Sequence, residues 1–274
     1  MSYQNILFEV AAGVARLTFN RPDRLNSFNT AMHLDVRDAL EGLERSLGEA
    51  QDTGQPSAPR VLIVTGAGRG FCSGQDLGER VLTAPGGPAV DLGDSIERYY
   101  KPFVLTLRRL PIPVIGAING VAAGAGANIA LACDVVIAAR SAYFVQAFAK
   151  IGLLPDCGGT WFLPRLVGNA RALGLAFLAE KLSAEQAAEW GLIWKCVEDA
   201  ELGSTVNEIA TRLAGAPTRA LARTKQAIYE SATRTFEEQV DLERDYQREL
   251  GRTADFAEGV AAFAEKRTPR FSGH

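Results

Sequence analysis

The chain has 274 residues, of which 47% are hydrophobic and 22% charged, and a formal net charge of −3. With 29 basic against 32 acidic residues, nothing favours a nucleic-acid or anionic-membrane surface, and no apolar run approaches a membrane span. There are two histidines, His33 in a polar-rich helical stretch and His274 at the last position, so neither a Ser-His-Asp triad nor a histidine metal site is expected.

Any acid–base chemistry then falls to carboxylates, Lys, Tyr or Cys. Cys72, Cys133, Cys157 and Cys196 form no CxxC pair, and the first residues show no basic-then-apolar leader. They read as reduced thiols of a cytoplasmic protein, used as small core residues.

Residues 8–10 and 14–19 are short and strand-like, and suggest a hairpin. Residues 21–27 are a loop. Asn29 or Thr30 caps a following helix, in which Met32, Val36, Leu40, Leu43 and Leu47 share one face. The Gly-, Pro- and Ser-rich residues 50–59 break that helix. Residues 60–66 (RVLIVTG) form a continuous apolar run, as in a strand buried on both faces. Residues 77–100, with prolines, glycines and scattered acids, read as a mobile lid or as a plain surface insertion. A helix is expected over 100–110 and buried strands over 112–118 and 134–139. This order argues an α/β fold with largely parallel strands. Residues 183–186 (SAEQ) are a capping box, Gly191 closes the helix, and 193–197 suggest a short strand. Helices follow over 202–213, 217–231, 236–250 and 255–266. No internal repeat is visible.

Two glycine-rich loops directly follow buried strands. One is residues 66–77 (GAGRGFCSGQDL); the other is residues 120–128 (GVAAGAGAN), which leads into a helix-like run over 128–133. Uncovered N–H groups at a helix start can hold negative charge, either a bound anion or a developing oxyanion. In a parallel sheet or a stacked spiral, consecutive strand ends lie on one side, which would bring Gln75 close to Ala125. Two N–H groups aimed at one oxygen stabilise a transition state by about 3–4 kcal/mol per donor. The same glycines suit tight turns and close helix–strand packing, and this reading stays open. A dinucleotide site is weakly supported: Ile129 stands where GxGxxG needs its third glycine, and Gly66, Gly68 and Gly70 have the wrong spacing.

Several motifs stand together in a familiar order: NRPDRLN (20–26), GFCSGQDL (70–77), PVIGAING (113–120), the Gly/Ala loop, GLLPDCGGT (152–160) and EGVAAFAEKR (258–267). Along essentially the whole chain they resemble the enoyl-CoA hydratase/isomerase (crotonase) superfamily. The resemblance implies a crotonase-like spiral of ββα turns over residues 1–198 carrying an acyl-CoA site. A C-terminal helical region over 199–274 would pack on that core and on a neighbouring subunit of a trimer or dimer of trimers. The substrate would be an acyl-CoA thioester, with no separate cofactor, no metal, no nucleic acid and no membrane.

The resemblance also implies site residues. The backbone N–H groups of Gln75 and Ala125 would form the oxyanion hole. Arg24, Leu25, Asn26, Asp76 and Leu77 would wall the CoA moiety, and Gly124, Asn128 and Phe148 would belong to the substrate site. Phe263 and Lys266 resemble tail residues that reach the CoA site of an adjacent subunit, while Lys266 also reads as a solvated helix-end cation. Family hydratases carry two water-activating glutamates; the matching positions here are Asn128 and Phe148, neither of which is a base. Asp156 matches a position where some family isomerases carry their proton-transferring acid, although alone it reads as a turn or cap residue. Phe148, Trp161 and Leu154 are expected to desolvate it and raise its pKa from about 3.9. The nearest branch implies isomerisation: ring-1,2-epoxyphenylacetyl-CoA to oxepin-CoA, and a 3-enoyl to 2-enoyl shift. The alternatives are a hydratase or hydrolase of the same fold, or a non-catalytic acyl-CoA or RNA-binding protein.

Overall fold

Segments whose every residue is apolar become strands with no face left for water. The computed structural model describes residues 3–53, 58–79 and 91–273. It opens with β1 (Ile6–Ala11) and β2 (Val14–Phe19), an antiparallel hairpin. Helix α1 (Thr30–Thr53) follows. Asn29 caps it, its side chain accepting the Met32 N–H at 2.9 Å, and Met32, Val36, Leu40, Leu43 and Leu47 are all buried. The helix outlasts the expected break at residue 50, because residues 50–53 are tolerable helix formers and Gly54 and Pro56 come only afterwards.

A three-part unit then recurs. β3 (Val61–Gly66) and β4 (Gly70–Cys72) lead to α2 (Leu92–Ser95), which passes through a π-helical stretch, Ile96–Tyr100, into α3 (Lys101–Arg109). β5 (Val114–Ile118) and β6 (Val121–Ala123) lead to α4 (Ala125–Leu131). β7 (Val135–Ala139) and β8 (Tyr143–Val145) lead to α5 (Gly159–Leu178). The first strands of these units lie parallel in one sheet and the second strands lie parallel in another. β9 (Leu182–Ser183), α6 (Ala184–Glu189) and β10 (Lys195–Val197) complete them. The orders are β1-β2-β3-β5-β7-β10 and β4-β6-β8-β9. This is the spiral of ββα turns.

Two features differ from the sequence expectations. The glycine-rich loops are not bare strand-to-helix turns, since each contains a strand of the second sheet, β4 or β6. Strands of three residues are too short to show a period, which also hides the structural repeat. Helix α5 was not expected, because Pro164 and the non-helical Gly168 (φ 76°, ψ 162°) interrupt its pattern. His33, within α1, is 5% exposed and lies in an aromatic nest, with its ring near Phe28, Tyr99 and Tyr100. Residues 80–90 of the expected lid or insertion lie outside the described residues.

Four helices close the chain: α7 (Leu202–Ala214), α8 (Thr218–Glu230), α9 (Phe236–Leu250) and α10 (Ala254–Glu265), each end within one residue of its expected position. α7 packs across β2, β3, β5 and β7. α8 is held by a buried ion pair. Lys225 Nζ lies 2.9 Å from Asp134 Oδ2 and donates to the carbonyls of Leu107 and Ile112. Asp134 also accepts from the Val114 N–H at 2.7 Å and from the Tyr229 hydroxyl. Burial pulls the Lys225 pKa down, opposed by the Asp134 charge. Among the described residues no helix is long and apolar enough to cross a membrane.

Removing one member of this pair leaves the other buried and uncompensated. Lys225→Ala should cost about 3 kcal/mol or more, read from urea denaturation midpoints.

Candidate active site

The two glycine loops meet. α4 starts at Ala125, three residues before the expected helix-like run, with Gly124 as its N-cap (φ 54°, ψ −127°). A Cβ on Gly126 would stand 2.3 Å from the Cys72 carbonyl oxygen, so only hydrogen lets the first turn of α4 lie against β4. Gly74 makes the reciprocal approach. Its φ is +94°, and a Cβ there would lie 2.9 Å from the Ala123 carbonyl oxygen and 3.4 Å from the Ala125 nitrogen. Tight packing and N–H groups aimed at one oxygen were alternative readings of these glycines; the close packing is present, with a Gly74 Cβ position 3.4 Å from the Ala125 nitrogen.

Gln75 follows Gly74 directly. It forms a parallel bridge with Phe28: the Phe28 N–H donates to the Gly74 carbonyl, and the Asp76 N–H donates to the Phe28 carbonyl, both at 2.8 Å. In that pattern the N–H of Gln75 itself points away from Phe28. The Gln75 side chain accepts the Tyr100 hydroxyl at 2.8 Å, and Tyr100 is 1% exposed. Ala125, as the first helical residue, has no intrahelical acceptor for its N–H. Among the described residues neither the Gln75 nor the Ala125 N–H donates to another backbone group. Two such donors side by side can hold a negatively charged oxygen.

Asp156 lies in the turn before α5. Cys157 (φ 50°) and Gly158 (φ 83°) carry the chain through left-handed conformations there, and the Gly159 N–H returns to the Asp156 carbonyl at 2.8 Å. Burial, together with the adjacent Asp156 carboxylate, raises the Cys157 thiol well above its ordinary range. Phe148 is buried, with its ring tip 3.9 Å from where a Gly124 Cβ would stand. The other expected desolvating residues are not interior. Leu154 is 71% exposed, and Trp161, 38% exposed, carries the Arg165 guanidinium over its ring at 4.2 Å. Their helix and loop point these side chains outward, so Phe148 alone of the three is a buried wall.

Two expected contact residues are corrected. Asn128 and Asn26 are both 0% exposed and present no surface to a ligand. Asn26 is a clasp: its Nδ2 donates to the Ala67 and Gly70 carbonyls at 3.0 and 2.8 Å, and its Oδ1 accepts the Arg21 N–H at 2.8 Å. Asn128 donates to the Asp156 carbonyl at 2.8 Å and accepts from Gln146 Nε2 at 2.9 Å. Beside them, Arg24 is exposed, Leu25 half-buried and Leu77 exposed. Asp76 pairs with Arg21 at 2.9 Å. The structure thus brings together Gln75, Gly124, Ala125, Asn128, Phe148 and Asp156, with the Leu25–Asp76 loops alongside. Phe263, 88% exposed, and Lys266, the left-handed end of α10, stand apart; among the described residues no hydrogen bond or ion pair joins them to this group. Sequence reading missed Gln146 and Tyr100. A glutamine between apolar residues, as in FVQAF (144–148), is a signal for a buried polar network.

A family model described as enoyl-CoA hydratase/isomerase matches residues 9–274. The chain is 57% identical over 268 residues to the 1,2-epoxyphenylacetyl-CoA isomerase of Escherichia coli (strain K12), covering 98% of each chain. It is 46% identical over 273 residues to a protein of Rhodobacter capsulatus named "Probable enoyl-CoA hydratase", covering 100% of each. A solved structure of enoyl-CoA hydratase from Bacillus anthracis superposes with a TM-score of 0.83 at 32% identity, covering 99% of this chain and 100% of that one.

The Asp76 carboxyl sits below the usual carboxylate range: partial burial pushes it up, but hydrogen bonds from Arg21 and the Gly78 N–H, with the Arg21 charge, outweigh that. A carboxylate depressed in the fold stabilises it above the unfolded pKa, and that contribution is lost as pH falls through the folded value. Asp76→Asn should therefore destabilise the protein at neutral pH and flatten its loss of stability below about pH 4, seen in thermal unfolding across pH.

Proposed function

This chain belongs to the enoyl-CoA hydratase/isomerase family, and from that premise we propose that it is an acyl-CoA isomerase working through a thioester enolate. The observation that carries the reading is the meeting of Gly74–Gln75 with Gly124–Ala125, two backbone donors beside a turn whose carboxylate is Asp156. The thioester carbonyl oxygen lies between the two N–H groups. Charge moving onto it is stabilised there, which makes the C2 proton acidic. Asp156 takes that proton and returns it at C4, so a 3,4 double bond becomes a 2,3 double bond. One carboxylate suffices, because the proton leaves and returns on one face and no water is added.

The relative at 57% identity, named as a 1,2-epoxyphenylacetyl-CoA isomerase, supports ring-1,2-epoxyphenylacetyl-CoA as the substrate; the product proposed here is oxepin-CoA. In that reaction the hole again stabilises the enolate. Arg24, Leu25, Asp76 and Leu77 flank the CoA moiety, with Asn26 holding their loop. The CoA is part of the substrate, and no further cofactor is called for. Exposed Phe263, with Lys266 beyond it, suits burial against a second copy in a trimer or dimer of trimers.

The relative named as a hydratase keeps water addition in view. Against it, the positions that would carry the two glutamates hold a fully buried Asn128 and an apolar Phe148. Turnover of the ring-epoxide thioester, 3-enoyl-CoA and 2-enoyl-CoA separates the readings: the first two should isomerise, and the third should give no 3-hydroxyacyl-CoA. Asp156→Asn should lower kcat for the double-bond shift by about 100-fold or more while leaving acyl-CoA affinity nearly unchanged. Turnover near that of the parent enzyme would overturn the assignment.

A further inference from the structure

We infer that Asn128 is a positioning residue for Asp156, setting where the carboxylate stands relative to the Ala125 N–H. This rests on the reading above of Asp156 as proton carrier and Ala125 as oxyanion donor.

Asn128 lies one turn after Ala125 on α4, so the two share a single rigid element. Its amide is engaged at both ends. Nδ2 donates to the Asp156 carbonyl at 2.8 Å, and Oδ1 accepts from Gln146 Nε2 at 2.9 Å. A carbonyl can only accept, so the amide has one orientation, and Gln146, itself 4% exposed, satisfies the opposite end. The amide is also wedged against the start of α5: a Cβ on Gly159 would stand 2.3 Å from Asn128 Nδ2 and 2.7 Å from its Cγ. The turn from Asp156 to Gly159 is therefore touched by Asn128 at both ends. Its carbonyl is bonded to the helix that carries the oxyanion donor, and its glycine lies flat on the same amide. The spacing between donor and base then depends on one helical turn and one hydrogen bond.

Other residues fail here for stated reasons. Alanine leaves a gap, removes the bond that ties the Asp156 carbonyl to α4 while its bond from the Gly159 N–H remains, and takes the Oδ1 acceptor from Gln146 Nε2. Leucine fills the volume without a donor. An ionised aspartate turns an acceptor toward the Asp156 carbonyl, whereas a protonated aspartate restores a donor. The thiol of Cys157, beside Asp156, is pushed up and stays neutral, so it adds no charge to this balance.

The test uses the full-length enzyme, with circular dichroism and acyl-CoA affinity measured alongside rates. Asn128→Ala should lower kcat by about 100-fold with KM within about three-fold, as expected when a catalytic group is misplaced and binding is kept. For Asn128→Asp, kcat relative to the parent should rise as pH falls from about 8 to about 5.5, since a buried carboxyl protonates early. Combined with Asp156→Asn, Asn128→Ala should cause no further loss, because it acts through Asp156. Folded Asn128→Ala with kcat within about two-fold of the parent, a pH-flat ratio for Asn128→Asp, or additive losses in the double variant would each overturn the inference. If Asp156→Asn is inactive while Asn128 variants turn over normally, only this inference fails; if Asp156→Asn itself turns over, the functional reading fails with it.

Discussion

The site depends on one backbone contact, the seat of α4 against β4. Gly126 lies so close to the Cys72 carbonyl that a methyl group would stand 2.3 Å from its oxygen. Protein interiors absorb overlaps of that size only by moving backbone. With hydrogen there, the first turn of α4 settles beside the Gly74–Gln75 loop, whose Gln75 N–H we propose acts with that of Ala125. Without that seat there would be two ordinary turns on separate strands.

Peptide dipoles at a helix start such as that of α4 need no counter-ion and do not reorganise. The thiols nearby add no formal charge: burial pushes Cys72 to about 12 and raises Cys157 well above its ordinary range. The one carboxylate of the group sits on a turn whose shape is imposed by left-handed Cys157 and Gly158 and by hydrogen bonds to its carbonyl from Gly159 and Asn128. The fold bears names of both hydratases and isomerases among its relatives. Here an amide and a phenyl ring occupy the positions that the family resemblance gives to water-activating glutamates.

The rest of the molecule keeps this cradle in register. The Asn29 cap and the apolar stripe of α1 hold that helix on the core. The Asn26 clasp fixes the loop that bridges to Gln75 through Phe28. Lys225 and Asp134 fasten α8 at the ends of α3, β5 and β7. Asn26 and Lys225 are buried polar groups with hydrogen-bonded partners, which ties position to a specific geometry more strongly than apolar packing does.

Much of this was legible in residue order. Continuous apolar runs marked β3, β5 and β7, because strands buried on both faces have no polar side to show. Three-and-four spacing marked α1 and the four C-terminal helices. Motif order marked the family, and the residue types at Asn128, Phe148 and Asp156 carried the expectation of isomerisation over water addition. What could not be read was whatever depends on contacts between segments distant in sequence. β4 and β6 are too short for periodicity and exist because they pair with each other. α5 runs through a proline and a break because its faces are packed. Asn26 and Asn128 look like ligand contacts in a motif, yet their amides are consumed inside the protein, since an interior amide must find its donors and acceptors wherever the fold places them. Sequence by itself determined which backbone would be bare and which side chains could carry a proton. Tertiary structure decided that the bare segments touch and that Asn128 bonds the Asp156 carbonyl, because hydrogen bonds and van der Waals contact act over a few ångströms and only folding brings Gly74 to Ala125, and Asn128 to Asp156, within that range.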